Sequence, residues 1–262
     1  MTNKTNKPQY GFLIDASRCI DCRSCVVACS VENNVSMKST RIWINGTGVT
    51  GTFPELSRYT APFHCMHCED PSCVSACTVG ALSQNENGIV VYDDDRCIGC
   101  RYCMYACPFE VPNMDLSEML PLIVKCDMCI SRLEEGESQP ACAATCPTEA
   151  IVFGTQEEML AEAHRRMEEH PDRYVDHIYG EHENGGTSTY YLSPVPFEEL
   201  GFPIAHGEES PAHFNRLVTH GTPTLAAGVA IGMTGIYLSI KRQKEDNADL
   251  EESDHDDGSA EA

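Results

Sequence analysis

The sequence predicts an α+β chain of duplicated small units, rich in loops, followed by one apolar helix near its C-terminus. Three observations lead there. Sixteen cysteines fall in four groups of four within the first 146 residues. Two segments, beginning at Gly11 and Gly88, repeat one pattern: GFLIDASRCIDCRSCVVAC and GIVVYDDDRCIGCRYCMYAC. An uncharged stretch, PTLAAGVAIGMTGIYLSI, occupies residues 223–240.

Each element follows from local chemistry. Residues 1–10 form an extension with neither the apolar centre of a signal peptide nor a twin arginine. Taken alone, this suggests a reducing compartment, where paired thiols bind metal more readily than they oxidise. Residues 11–154 carry the cysteines. Short strands are expected at 11–14, 88–92 and 150–153, with a helical turn after each cysteine run. CTVGALSQNENGIVVYDDDRC and CPTEAIVFG both place a cysteine before a Gly/Ala turn and an apolar run. Such repetition implies duplicated units. With so little regular structure, bound metal must supply much of the ordering energy.

Residues 155–222 read as a cover. Thr155 is a suitable N-cap and Glu158 completes a capping box for a helix over 155–170. Met159, Leu160, Ala163 and Met167 form its apolar face, and no chemistry is expected of it. Residues 185–197 read as a turn, a strand and a proline-fixed extended segment. The stretch 223–240 is long enough, at roughly 27 Å as a helix, to span a bilayer. A buried or interfacial helix is the rival reading. Lys241, Arg242 and Lys244 follow it, against Arg216 on the other side, which places the tail in the cytoplasm and the cysteine domain outside. Gly228 and Gly232 form a GxxxG pair that could pack on another helix. The tail, 241–262, has nine acids, three bases and no apolar period, so disorder is expected.

The formal net charge is −22, and removing the tail leaves the body acidic. Phosphate backbones need lysine and arginine, so nucleic acid is excluded as a partner. The chain has no G-x-G-x-x-G, no P-loop, no C-x₃-C-x₂-C and no G-x-S-x-G. No catalytic residue is therefore expected.

The cysteine runs carry the chemistry. They are Cys19, Cys22, Cys25 and Cys29; Cys65, Cys68, Cys73 and Cys77; Cys97, Cys100, Cys103 and Cys107; and Cys126, Cys129, Cys142 and Cys146. Structural disulfides suit C-x-x-C poorly. Zinc uses pairs of C-x-x-C but needs no third cysteine close behind. An iron–sulfur cubane offers several iron corners to one tight loop, and C-x₂-C-x₂-C-x₃-C-P supplies three of them while lending its fourth cysteine to another cluster. Cys97 to Pro108 matches that run without departure; Ser30 replaces the proline of the first run. The second run has a small insertion and the fourth a long one. Sixteen thiolates make four [4Fe–4S] sites with none left over. Arg18, Arg23, Arg96, Arg101 and Lys125 lie beside ligands, where they either raise potentials or are ordinary surface charge. His64 and His67 flank sites that are already complete, so they read as supporting or surface residues. His206, His213 and His220 read as a solvated loop, with a quinone or haem pocket of a partner as the rival.

These runs, with FHCMHCEDPSCVSAC, VKCDMCISRLEEG and CPTEAIVFGTQEEML, resemble the four-cluster iron–sulfur subunits of membrane-bound respiratory oxidoreductases. The likeness extends to the β subunit of respiratory formate dehydrogenase and the electron-transfer subunit of uptake hydrogenase; IYGEHENGGTSTYYLSPVPFEELGFP resembles the latter. The resemblance implies duplicated bacterial-ferredoxin-like units and a single C-terminal transmembrane helix. It implies that Cys19, Cys22 and Cys25 share a cluster with Cys146, and Cys126, Cys129 and Cys142 share one with Cys29. Likewise Cys65, Cys68 and Cys73 join Cys107, and Cys97, Cys100 and Cys103 join Cys77. It implies a non-catalytic subunit placed between a catalytic subunit, of molybdopterin or nickel–iron type, and a quinone-linked integral membrane subunit. Export alongside a twin-arginine partner puts the cluster domain on the periplasmic side of the inner membrane, overriding the compartment suggested by the N-terminus. A soluble polyferredoxin and a purely structural metal-binding module are the alternatives.

Overall fold

The computed structural model describes residues 7–36, 38–114, 122–204 and 207–256, without the side chains of 220 and 245–256. The chain divides into two units, Met1–Asn215 and Arg216–Ala262. The first unit is a mixed α/β domain of many short elements. In chain order these are β1 (Tyr10–Asp15), α1 (Ser24–Glu32), β2 (Trp43–Gly46), β3 (Thr50–Thr52), β4 (Glu55–Ser57), β5 (Thr60–Phe63) and α2 (Ser72–Ser75). There follow β6 (Leu82–Gln84), β7 (Val90–Tyr92), α3 (Tyr102–Ala106), β8 (Asn113–Met114), β9 (Ile123–Val124), α4 (Ile130–Glu134) and α5 (Ala141–Ala144). Then come β10 (Ile151–Thr155), α6 (Gln156–Glu169) and β11 (Thr189–Leu192); the last element, α7 (Ala212–Asp256), supplies the second unit.

The central sheet has the order β10–β1–β11. β1 runs antiparallel to β10, with Ile14 opposite Ile151, and parallel to β11, with Phe12 opposite Thr189. The sequence YGFLID does not alternate, and five of its six residues are buried, as expected of a strand covered on both faces. One cover is α6, which packs on all three strands. Its Thr155–Glu158 capping box is present, and Met159 and Ala163 are buried. Leu160 and Met167 are partly buried against Leu13, Tyr174 and Leu192. On the other side, Phe12 and Ile14 join an aromatic core with Phe63, Tyr179, Tyr191, Phe197 and Phe202.

Three features depart from the sequence reading. The segment 155–222 is more than a cover, because its strand β11 completes the central sheet and Ser188 N–H donates to the Met66 and His67 carbonyls at 3.1 Å. The hairpin-like pairing of β2 with β5, Trp43 opposite Phe63, lies in a stretch that carries no clear strand signal. The helix expected at 223–240 begins at Ala212, so Pro223 lies inside it; an interior proline forfeits one backbone bond but does not forbid a long helix. It continues to Asp256, into the tail where disorder is expected, because KRQKEDNADLEE is rich in residues that lose little entropy as helix.

Among the described residues one helix, Ala212–Lys244, is long and apolar enough to cross a membrane. Leu225, Val229, Ile231, Met233, Ile236 and Leu238 are all exposed on it. Two of its hydroxyls bond within the helix: Thr222 Oγ1 donates to the Val218 carbonyl at 2.6 Å and Thr234 Oγ1 to the Ala230 carbonyl at 2.8 Å.

Candidate metal centres

The first C-x-x-C turn of each run has one backbone geometry in common. The residue before the second cysteine is left-handed in each: Asp21 (φ 54°), His67 (45°), Gly99 (66°) and Met128 (55°). Only glycine takes this conformation freely; each other residue gives up on the order of 1 kcal/mol. Strain of this kind persists where a site requires it. The turn aims backbone N–H groups at sulfur, with Gly99 N–H 3.4 Å from Cys97 Sγ and Met128 N–H 3.4 Å from Cys126 Sγ.

Strand register brings distant cysteines to these turns. Ile14 pairs with Ile151; Cys19 lies five residues beyond the first and Cys146 five before the second. The antiparallel β6–β7 pair repeats the arrangement. Leu82 faces Tyr92, with Cys77 five residues before the former and Cys97 five beyond the latter. The helices match too, since α1 packs on α5 and α2 on α3. As a result Cys19, Cys22, Cys25 and Cys146 line one cavity, and Cys77, Cys97, Cys100 and Cys103 line another. Deeper inside, Cys65, Cys73 and Cys107 surround Cys68, while Cys29 and Cys129 act on Cys142, and Cys29 and Cys142 on Cys126. The two groupings that line cavities each take three cysteines from one run and one from another, and the other eight cysteines interact across runs in the interior.

The sets touch in a single order. Cys25 acts on Cys142, Cys65 on Cys126, and Cys103 on Cys73. The Cys19 set therefore adjoins the Cys126 set, then the Cys65 set, then the Cys97 set. Each end carries an exposed cysteine, Cys22 and Cys100, beside an exposed isoleucine, Ile20 and Ile98.

Burial governs the thiols. It pushes Cys25, Cys29 and Cys73 up to about 12, and Cys103 and Cys107 to about 11. Cys68, Cys126 and Cys142 are raised well above the usual thiol range by burial and by neighbouring sulfurs. Exposed Cys22 is lowered by its hydrogen bonds with Ser24. Buried thiolates packed against one another need a cationic centre among them. All sixteen cysteines are free of disulfides. Zinc does not fit: Zn–S bonds of about 2.3 Å put tetrahedral sulfurs about 3.8 Å apart. Among the described residues the one set of three candidate ligand atoms mutually within 4.8 Å is Asp93, Asp94 and Asp95, all exposed. The soft, wider-spaced sulfur sets fit iron–sulfur clusters.

Several supporting residues gave no signal in the cysteine spacing. Thr60 Oγ1 donates to Cys19 Sγ at 3.4 Å, and Asn33 Nδ2 lies 3.7 Å from both Cys29 and Cys129 Sγ. Arg41 holds Asn33 Oδ1 at 2.9 Å and pairs with Asp127 at 2.8 Å. His64 and His67 are fully buried, which rules out the surface reading. Burial lowers His64 to about 4 and His67 well below its ordinary range. His67 Nδ1 accepts from Val90 N–H at 3.1 Å. Of the five cations beside ligands, Arg18, Arg23, Arg96 and Arg101 reach solvent and Lys125 is buried. His213 is exposed; His206 and the side chain of His220 lie outside the described residues.

Comparison with known proteins agrees with this donor chemistry. Residues 56–156 match the family model of a 4Fe-4S dicluster domain. The chain is 34% identical, over 95% of its length and 90% of the relative's, to the nitrate-inducible formate dehydrogenase iron-sulfur subunit of Escherichia coli (strain K12). It is 36% identical to the hydrogenase-2 operon protein HybA of Escherichia coli O157:H7, covering 74% of this chain and 72% of the relative. The formate dehydrogenase iron-sulfur subunit of Haemophilus influenzae is 30% identical, over 90% of this chain and 80% of its own. The chain belongs to the iron–sulfur electron-transfer subunits of respiratory oxidoreductases of the formate dehydrogenase and hydrogenase type.

Proposed function

We propose that this subunit holds four [4Fe–4S] clusters and carries electrons between a catalytic oxidoreductase subunit and a quinone-linked integral membrane subunit. When bound, such clusters supply one-electron acceptance and release. The observation that carries the reading is the arrangement of sixteen free cysteines as four interlocked sets in one linear order. We assign to each set the ligands that the family resemblance implies. The repeated strand register and helix pairs around the Cys19 and Cys97 sets support duplicated ferredoxin-like units.

The chain's own residues do the rest. Buried cysteines of the two inner sets exclude water, and N–H and hydroxyl donors to sulfur favour the more negatively charged state. Exposed Cys22 and Cys100 make the outer sets the two points of exchange with partners. Residues 223–240 within α7 anchor the subunit in the inner membrane, and the cations after Ile240 place the cluster domain on the periplasmic side.

Full-length chain reconstituted anaerobically with iron and sulfide is expected to hold about sixteen irons. Fewer than about twelve defeats the four-cluster reading. Carbonate washing of membranes is expected to leave the protein in the pellet. Its release would defeat the anchor and favour a soluble polyferredoxin.

A further inference from the structure

Lys125 is 3% exposed. Its Nζ donates to the Val90 carbonyl at 2.5 Å and the Cys126 carbonyl at 2.6 Å. These two carbonyls belong to backbone serving both inner cysteine sets. Cys126 is a member of one; Val90 donates its N–H to His67, which sits between Cys65 and Cys68 of the other. Among the described residues no carboxylate pairs with Lys125. The half-buried Arg41, by contrast, is neutralised by Asp127 at 2.8 Å. An uncompensated ammonium in the interior is costly unless negative charge lies beside it. Cysteine sulfur lies within its electrostatic reach, since the ammonium lowers Cys73 against the upward push of burial.

We propose that Lys125 is a tuning residue: its fixed charge raises the reduction potential of the clusters held by the two inner cysteine sets, whose backbone it bridges. A cation within the low-dielectric interior favours the state that carries the additional electron. The inference rests on the four-cluster reading.

The test is an EPR-monitored redox titration of reconstituted full-length protein, with iron content measured for each variant. Wild type lacking four clusters would count against the four-cluster reading; the variants address Lys125. In Lys125→Met, the reduced-to-oxidised ratio of one cluster at a fixed potential should fall at least tenfold, equivalent to 59 mV for one electron. Lys125→Arg should stay near wild type. Unchanged potentials in a fully loaded Lys125→Met overturn the proposal. If Lys125→Met does not load iron, Lys125→Gln and Lys125→Arg decide: a lower potential in the glutamine variant upholds the proposal. Equal potentials, or failure of both to load, overturn it and leave Lys125 a tether between strands.

Discussion

Replacing Cys107 by serine is expected to empty a site whose other cysteines lie far upstream in sequence, while leaving the rest of its own run loaded. Cys107 follows Cys97, Cys100 and Cys103 in one unbroken motif. In the fold burial raises it most, and the thiol that adds to this is Cys65 of another run. Conversely, Cys107 acts on Cys68 and Cys73. Serine offers a hard oxygen in place of a soft thiolate, and soft ligands are what such clusters select. Iron should fall by about four of about sixteen per chain. The EPR signal that disappears should be that lost in Cys68→Ser, not that lost in Cys100→Ser. Cys77→Ser should do the reverse, removing the Cys100 signal. Loss of the Cys100 signal in Cys107→Ser would show that each run fills its own site, and the interlocked assignment would fail.

What could be read in advance follows from the range of each interaction. The chelating turns are local, so C-x-x-C spacing announces them. The capping box of α6 is local as well, needing only Thr155 and Glu158. The fourth member of each set is set by tertiary pairing. Cys146 reaches Cys19 because β10 pairs antiparallel with β1, a register that neither segment encodes alone. Family resemblance could name that partner; spacing could not. Lys125 shows the same limit. Adjacency to Cys126 in sequence made it one of five similar cations, and only the packing of β7 against it removes it from water. β11 was legible as a strand, but its parallel place beside β1 was not, because a parallel partner arrives through a long crossover. Arg166 reads as one more polar position on an exposed helix face, yet it is buried.

That arginine leads to the second large effect. Asp15 is fully buried at the end of β1, where the chain leaves the sheet toward Cys19. Its carboxylate accepts from Arg166 Nη1 at 3.2 Å, Tyr174 Oη at 2.9 Å, and Ser17 N–H and Oγ at 3.0 and 2.6 Å. Arg18 lies 3.5 Å away. One acid thus ties α6, the segment after it and the approach to the first cysteine turn. Asp15→Ala takes from the buried Arg166 guanidinium one of its two carboxylates, Glu162 being the other, and strands three further donors. Breaking a buried pair from one side costs about 3–5 kcal/mol, roughly a hundredfold or more in an equilibrium constant. The expected result is faster bleaching of cluster absorption in guanidinium, beginning with the EPR signal of the Cys19 set. Arg166→Met removes the charge that Asp15 neutralises while Glu162 stays exposed enough to be solvated, so it should cost less. The double variant should be less damaged than the sum of the singles, because neither charge is left alone. Additive losses would mean that Asp15 and Arg166 act independently, and bleaching that begins at the Cys97 set would mean that Asp15 does not brace the first turn at all.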